Sequence, residues 1–326
     1  MDVPVLGTQS DPSADSKWLV SVSWRYQRSF RHFVGSDEQE DREEDDSQVV
    51  NHLNLVELGI RYKVNQRWSV SGSLPFLMAE RSNPIRDASG VVIDRSESQA
   101  RGLSDVTCTA RRWLLEPAQH KGGNVALGFG VKLPTGANNV VDQRTRFVGG
   151  TFVTTIESVD QSIQPGDGGF GAILDVQAFQ RFGKGRYAFY SSLAYLFNPE
   201  NTNGVKTFRS NPLEAEMSVA DQYLARIGFS FAVPSKPALG FSLGGRLEGV
   251  PARDAIGNSD GFRRPGYAVS IEPAFTWSKK VHTFSVAVPW AIYRNRVRSV
   301  ADQTGGGHGD AAFADWILLL GYWRSF

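Results

Sequence analysis

Three things are scarce in this chain of 326 residues: cysteine, net charge and long apolar runs. Cys108 is the only cysteine, which excludes an intramolecular disulfide and a cysteine metal cluster. The 35 Lys and Arg nearly cancel the 34 Asp and Glu, leaving a formal net charge of +1 and no electrostatic footprint for nucleic acid. Apolar runs such as Trp316–Leu320 are short, and none approaches the ~20 residues that a membrane-spanning helix requires. That absence does not exclude spanning by strands, which need only ~9–11 residues each with alternate side chains apolar. Catalytic signatures are missing too. There is no Gly-x-Ser-x-Gly and no His-Glu-x-x-His. Gly128-x-Gly130 sits inside an apolar segment and is followed by no Gly-Lys-Ser/Thr. The five histidines, at 32, 52, 120, 282 and 308, fall in loops or at segment ends, and no nucleophile, base and orienter set is recognisable. The sequence therefore predicts no enzyme, no cofactor and no metal site.

What is abundant suits strands and turns: 33 Gly, 20 Phe, 9 Tyr and 8 Trp against 3 Met. Twelve segments alternate apolar and polar residues, near Lys17–Gln27, His52–Val64, Trp68–Glu80, Leu103–Leu115, Asn124–Thr135, Phe170–Phe182, Arg186–Phe197, Asp221–Val233, Ala238–Val250, Gly266–Ser278, His282–Arg294 and Phe313–Phe326. In the tenth, Tyr267, Val269, Ile271, Phe275 and Trp277 share one face, and Ala268, Ser270, Glu272, Ala274 and Thr276 share the other. Period two is the signature of strands. A soluble sandwich shows the same local pattern, so alternation alone does not choose between the two.

The links between segments are more informative. Arg28–Asn51, Arg81–Gly102, Gly136–Gly169, Asn198–Ala220, Pro251–Pro265 and Asn295–Ala312 are long, and each short link falls between two of them. In an up-and-down barrel alternate links lie on opposite rims, and outer-membrane barrels place short turns on the periplasmic rim and long loops outside. A Greek-key sandwich has no reason to keep that rhythm. The expected fold is thus all-β, a 12-stranded antiparallel up-and-down transmembrane barrel over 17–326, after an N-terminal periplasmic segment, 1–16. Trp18, Trp68, Trp113, Tyr187, Trp290 and Tyr322, near segment ends, suit aromatic girdles at the headgroup layer. The last segment ends on Phe326, with Tyr322, Leu320, Leu318 and Trp316 on one face, and so resembles the terminal signal read by the barrel-assembly machinery. Arg324 departs from that signal and is expected to snorkel at the rim. The outer membrane of a bacterium is the implied location, with lipid and lipopolysaccharide as surroundings. No secretory signal precedes the first segment, and the start reads as a processed or re-engineered one.

If the apolar faces meet lipid, the opposite faces line the lumen. They carry Arg25, Glu57, Arg61, Lys63, Asp105, Arg111, Lys132, Asp175, Arg181, Arg226, Arg246, Glu248, Glu272 and Asp315. Two readings stand: a salt-bridged interior that holds the barrel in shape, and a polar path that selects small solutes by charge and size. Arg112 falls on the outward register, which requires either a bulge beside Arg111 or a place at the rim. A twelve-stranded barrel leaves interior space, and the longest loop, Gly136–Gly169, is the candidate to fold inward, with its apolar piece Phe147–Ile156 as a loop hairpin or a constriction. The acidic run Asp37–Asp46 is expected to be a solvated, mobile loop, with divalent-ion binding the alternative. Gly305–Asp310 is expected to be a flexible loop.

Three blocks carry a family resemblance: Gly102-Leu103-Ser104-Asp105-Val106 leading to Arg112-Trp113-Leu114-Leu115, Leu127–Gly136 closing in Lys132-Leu133-Pro134-Thr135-Gly136, and Gly166-Asp167-Gly168-Gly169-Phe170. They resemble a family of outer-membrane proteins labelled transporter, or MetA-pathway of phenol degradation protein. The resemblance implies an outer-membrane barrel and uptake of small organic or aromatic compounds. The leading expectation is a channel for passive passage of small solutes. The alternative is a non-conducting barrel acting as a surface-loop interaction or scaffold protein.

Overall fold

The computed structural model describes residues 16–233 and 238–326. The expected periplasmic segment, Ser16 apart, and the link 234–237 lie outside the described residues. Twelve staves follow in chain order: β1 Trp18–Val34, β2 Val50–Lys63, β3 Trp68–Arg86, β4 in two pieces (Val92–Leu103 and Val106–Trp113), β5 Gly123–Leu133, β6 Gly171–Phe182, β7 Tyr187–Phe197, β8 Gln222–Val233, β9 Ala238–Val250, β10 Gly266–Lys279, β11 in two pieces (His282–Ala287 and Trp290–Asn295) and β12 Ala311–Ser325. Each pairs antiparallel with the next, and β12 pairs with β1 from Leu19↔Ser325 to Phe33↔Ala311. The sheet closes on itself, so no ladder edge is left to meet lipid.

The side chains are sorted in the sense opposite to that of a soluble protein. Phe129, Ile227, Phe229, Leu243 and Ile292 are exposed on the outside, while Lys132, Asp175, Arg226, Arg246 and Glu272 are all less than 5% exposed within. A soluble sandwich puts its apolar faces together, so this sorting decides the question that alternation left open. On the outer face Arg or Lys at midplane would cost ~2–4 kcal/mol, and the charged side chains are instead inside or at the ends.

Both interruptions of staves occur beside proline, which has no N–H for a ladder. β11 breaks at Val288-Pro289, where the Val288 N–H donates to the Pro273 carbonyl (3.1 Å) and the Ile317 N–H to the Pro289 carbonyl (3.0 Å). β4 breaks at Ser104-Asp105, where the Ser104 N–H donates to the Pro75 carbonyl (2.8 Å). The fourth stave begins at Val92, well before the expected Leu103. Its first piece carries Asp94, Arg95, Glu97 and Arg101, and with the end of β3 it forms a hairpin whose polar faces hide the alternation.

Arg112 and Arg324 lie at the short-turn rim. Arg112 pairs with Trp68 with no bulge beside Arg111, and its guanidinium sits 5.6 Å from the Trp68 ring. Arg324 lies 4.6 Å from the Phe326 ring. Trp18, Trp68, Tyr187 and Trp290 are exposed as girdle residues should be. Trp113 is a correction: it follows Arg111 on the inward register and lines the lumen instead.

Candidate functional site: a lumen in two chambers

The interior holds two cavities that share Leu19 and Arg61 in their walls. The upper one, about 780 Å³, reaches to the long-loop end, where Gln161–Asp167 and Arg263-Arg264 line it. The lower one, about 490 Å³, opens among the short turns at Asn65–Arg67 and Pro117–Lys121.

Charges in the upper chamber are organised in pairs. Glu248 on β9 accepts from Arg246 (2.5 Å) and from Arg25 on β1 (3.1 Å), a bridge between staves that are not neighbours in the sheet. Arg246 also faces Glu272 (3.4 Å), and Arg226 donates to Glu272 through Nε (2.9 Å). Arg25, Glu248, Arg246, Glu272 and Arg226 thus form one chain of alternating sign. Arg111 donates to Asp175 (2.6 Å) across the intervening β5. Near the loop end Asp315 accepts from Arg31 (2.8 Å) and Arg294 (2.7 Å). Isolated charges could not stay buried here, but alternating ones satisfy each other's hydrogen-bonding groups.

Of the lumen residues expected from sequence, Arg25, Glu57, Arg61, Asp105, Arg111, Lys132, Asp175, Glu248 and Asp315 line the upper chamber. Arg226, Arg246 and Glu272 point inward but lie beneath its surface as a buried network. Lys63, Arg181 and Arg61 line the lower chamber, with Lys17, Arg67 and Lys121 beside them. Apolar side chains share the upper wall, among them Leu53, Leu55, Ile173, Leu196, Ala291 and Phe313.

The three sequence blocks that carry the family resemblance converge on one knot in the wall. Asp105 accepts from the Gly136 N–H (2.9 Å) and the Asp167 N–H (3.1 Å), and Thr135 Oγ1 accepts from the Val106 N–H (2.9 Å). Lys132 is paired with Asp167 and lies 3.8 Å from Asp105. Gly136 and Gly166 approach so closely that a Cβ on Gly136 would stand 2.8 Å from the Gly166 Cα. Only glycines permit that approach, and it is where the long loop turns in from the wall.

The inward piece of that loop is Val159–Asp167, and of the two expectations for Phe147–Ile156, a loop hairpin or a constriction, the hairpin is the one found. Phe147–Ile156 belongs to a hairpin, Val141–Val148 with Thr151–Ser158, whose Val148, Phe152, Val153 and Ile156 are exposed and which lies outside the lumen wall. Val159 and Ile163 instead pack on Leu77, Ala79 and Ala100 of the inner wall. Asp160 binds Arg264 (2.7 Å) and lies 3.5 Å from Arg81. Burial alone would raise the Asp160 carboxyl, but Arg264 and Arg81 hold it well below the usual carboxylate range. Beside it Arg263 donates to Asp254 (2.6 Å) and Ser218 (2.6 Å). Sequence reasoning missed Arg81, Asp160, Arg263 and Arg264. The signal available was an Arg-Arg pair inside a loop bounded by Pro251 and Pro265, and buried-type residues Val159 and Ile163 in a polar loop.

The acidic run is not left wholly to solvent. It includes a helical turn at Asp41–Glu44, and Arg42 reaches Asp310 (2.8 Å), which also meets His32 (2.6 Å). Gly305 ends a second short helix, Val300–Gly305, which Ser299 and Asp302 open with an N-terminal capping box. Among the described residues no group of three or more His, Cys, Asp or Glu is placed to hold a metal ion.

The molecule is a closed 12-stranded antiparallel β-barrel of the type found in the outer membranes of Gram-negative bacteria. Among solved structures it is similar to an outer membrane channel from Pseudomonas putida F1, with a TM-score of 0.61, 12% identity and coverage of 98% of this chain and 99% of that one. It is also similar to the β domain of the Bordetella autotransporter BrkA, with a TM-score of 0.52, 13% identity and coverage of 96% and 100%. No family model and no curated protein matches the sequence.

Proposed function

We propose that the protein is an outer-membrane channel for passive passage of small solutes, with small organic compounds as its cargo. The observation that carries this reading is the pair of adjoining chambers, about 780 and 490 Å³, placed one after the other from the loop end to the turn end. A barrel used only as a scaffold has no need of two cavities stacked along its axis. The lining mixes paired charges with Leu53, Leu55 and Ile173, which suits solutes having both a polar and an apolar part. Resemblance of the Asp105, Lys132–Gly136 and Gly166–Phe170 blocks to phenol-degradation transporters points to the same cargo. The fold does not choose alone, since one similar barrel is named a channel and the other belongs to an autotransporter. Passage requires no catalytic step. Lipid and lipopolysaccharide surround the barrel, and the strand ending at Phe326 serves its assembly.

The test is osmotic swelling of proteoliposomes. Small neutral and aromatic solutes should enter vesicles carrying the folded barrel at rates that fall with solute size. Rates equal to those of empty vesicles for every solute would reject the channel.

A further inference from the structure

On the inner wall β5 runs as a trough beneath larger side chains from the staves beside it. Arg111 on β4 and Asp175 on β6 both pair in register with Gly128 of β5. Arg111 Nε donates to Asp175 Oδ1 (2.6 Å), so the ion pair passes over Gly128. Its two residues stand two strand spacings apart, roughly 9–10 Å, a gap that their side chains span by lying flat on the wall. Gly128 is buried beneath them. A Cβ added there would stand 2.8 Å from Asp175 Oδ1, 3.1 Å from Asp175 Cβ and 3.3 Å from Thr109 Cγ2. Nearer the short turns, Trp113 and Phe179 meet edge to face across the same stave, with centroids 5.7 Å apart. Ala126, which pairs with Trp113, is fully buried there. These contacts lie where the chambers meet. Arg111 and Gln177 line the upper chamber, and the next inward residues on the same staves, Trp113 and Phe179, line the lower one.

We infer that Gly128 sets the bore where the two chambers meet: with no side chain at that position, the Arg111–Asp175 pair lies flat on the wall and stays out of the solute's path. Glycine inside a strand marks a place where another group must come close to the backbone. The contact with the carboxylate oxygen could be relieved by rotating that group. The 3.1 Å contact is with Asp175 Cβ, an atom that side-chain rotation does not move, so a side chain at 128 displaces the ion pair from the wall. Asp175 has the complementary part. It holds the Arg111 guanidinium down and balances its charge, so that passing ions do not meet that charge alone. Bore and ion preference at the junction thus depend on different members of one three-residue device, as size and charge do in selective pores generally. This role rests on the channel reading and concerns what regulates passage between the chambers.

The experiment is single-channel recording of the full-length barrel in planar bilayers with a KCl gradient, on variants whose heat-modifiable migration on gels shows that they fold. Gly128→Ala should lower conductance severalfold and leave the reversal potential in place, because the displaced pair stays neutral. Arg111→Ala should then raise the current of Gly128→Ala by a much larger factor than it raises that of the wild type, since only there does the pair stand in the path. Gly245→Ala controls for an added methyl. It pairs with lipid-facing Ile227, whose Cγ2 would be the nearest atom at 4.0 Å, and should conduct as the wild type does. Asp175→Ala adds no atom to the wall. It should free Arg111, lowering conductance and moving the reversal potential toward chloride preference. Wild-type conductance in folded Gly128→Ala, or an Arg111→Ala gain equal in the two backgrounds, would overturn the role of Gly128 and leave the channel standing. Unchanged conductance and reversal potential in Asp175→Ala would overturn it even if Gly128→Ala failed to fold. A folded wild type that passes no current would remove the channel reading, and this role with it.

Discussion

The upper and lower chambers are built from the same staves, yet the charges on their walls differ. In the upper chamber nearly every charged side chain has a partner of opposite sign, and the chain from Arg25 to Arg226 fixes the wall. In the lower chamber the charged side chains among the described lining residues are Lys and Arg, and Arg67 reaches Glu116 just outside that lining (2.8 Å). Of the two readings of the lumen charges, structural bracing describes the upper chamber, where the pairs lie in the wall itself. Pairing near the middle removes net charge where the wall must be rigid. At the turn end Lys and Arg predominate among the described lining residues.

The comparison is broken most severely by removing the anion at the heart of the paired zone. Glu272→Ala leaves Arg226 and Arg246 buried without their shared partner, and loss of one member of a buried pair costs about 3–5 kcal/mol. The urea midpoint of the folded barrel should fall accordingly. Next in size is Asp160→Asn, which releases the inward loop piece from Arg264 and Arg81 and should raise single-channel conductance severalfold, with some loss of stability because buried Arg81 loses its anion. The same latch predicts a pH dependence. The Asp160 carboxyl is held below its ordinary value of 3.8 when folded, so its contribution is complete above that value and is lost only as pH falls below it. Wild-type conductance should therefore be unchanged from neutral pH down to about pH 4 and approach that of Asp160→Asn in stronger acid.

A smaller effect sharpens the contrast between chambers. Arg61→Glu puts a carboxylate into the wall they share, and the reversal potential in a KCl gradient should shift toward cation preference. The smallest effect is outside the lumen. Arg112→Gln removes the cation above Trp68 at the rim and should cost about 0.5–1 kcal/mol, with no change in ion preference. A change in preference from that substitution would place Arg112 in the path and undo the assigned register.

Much of the barrel was legible because a membrane strand writes its two environments into alternate residues. Ile271 and Glu272 in β10 face lipid and lumen, as their period-two spacing required. What was not legible lies where that rule stops. The first piece of β4 stands among polar loops, so Asp94, Arg95 and Glu97 mask the strand. Trp113 sits near a strand end like a girdle residue, and only its inward register beside Arg111 distinguishes it. Inward-facing charges were found from the pattern, but their partners were not, because Arg25 and Glu248 are brought together by closure of the sheet. The basic turn end did leave a trace: each short link carries Lys or Arg, at Arg67, Lys121, Lys184, Lys236, Lys279 and Lys280.

The most direct measurement is single-channel recording of the full-length protein in a planar bilayer with a KCl gradient. Steady ohmic steps are expected from a barrel with cavities along its axis. A heat-modifiable, correctly folded barrel that inserts and passes no current would contradict it.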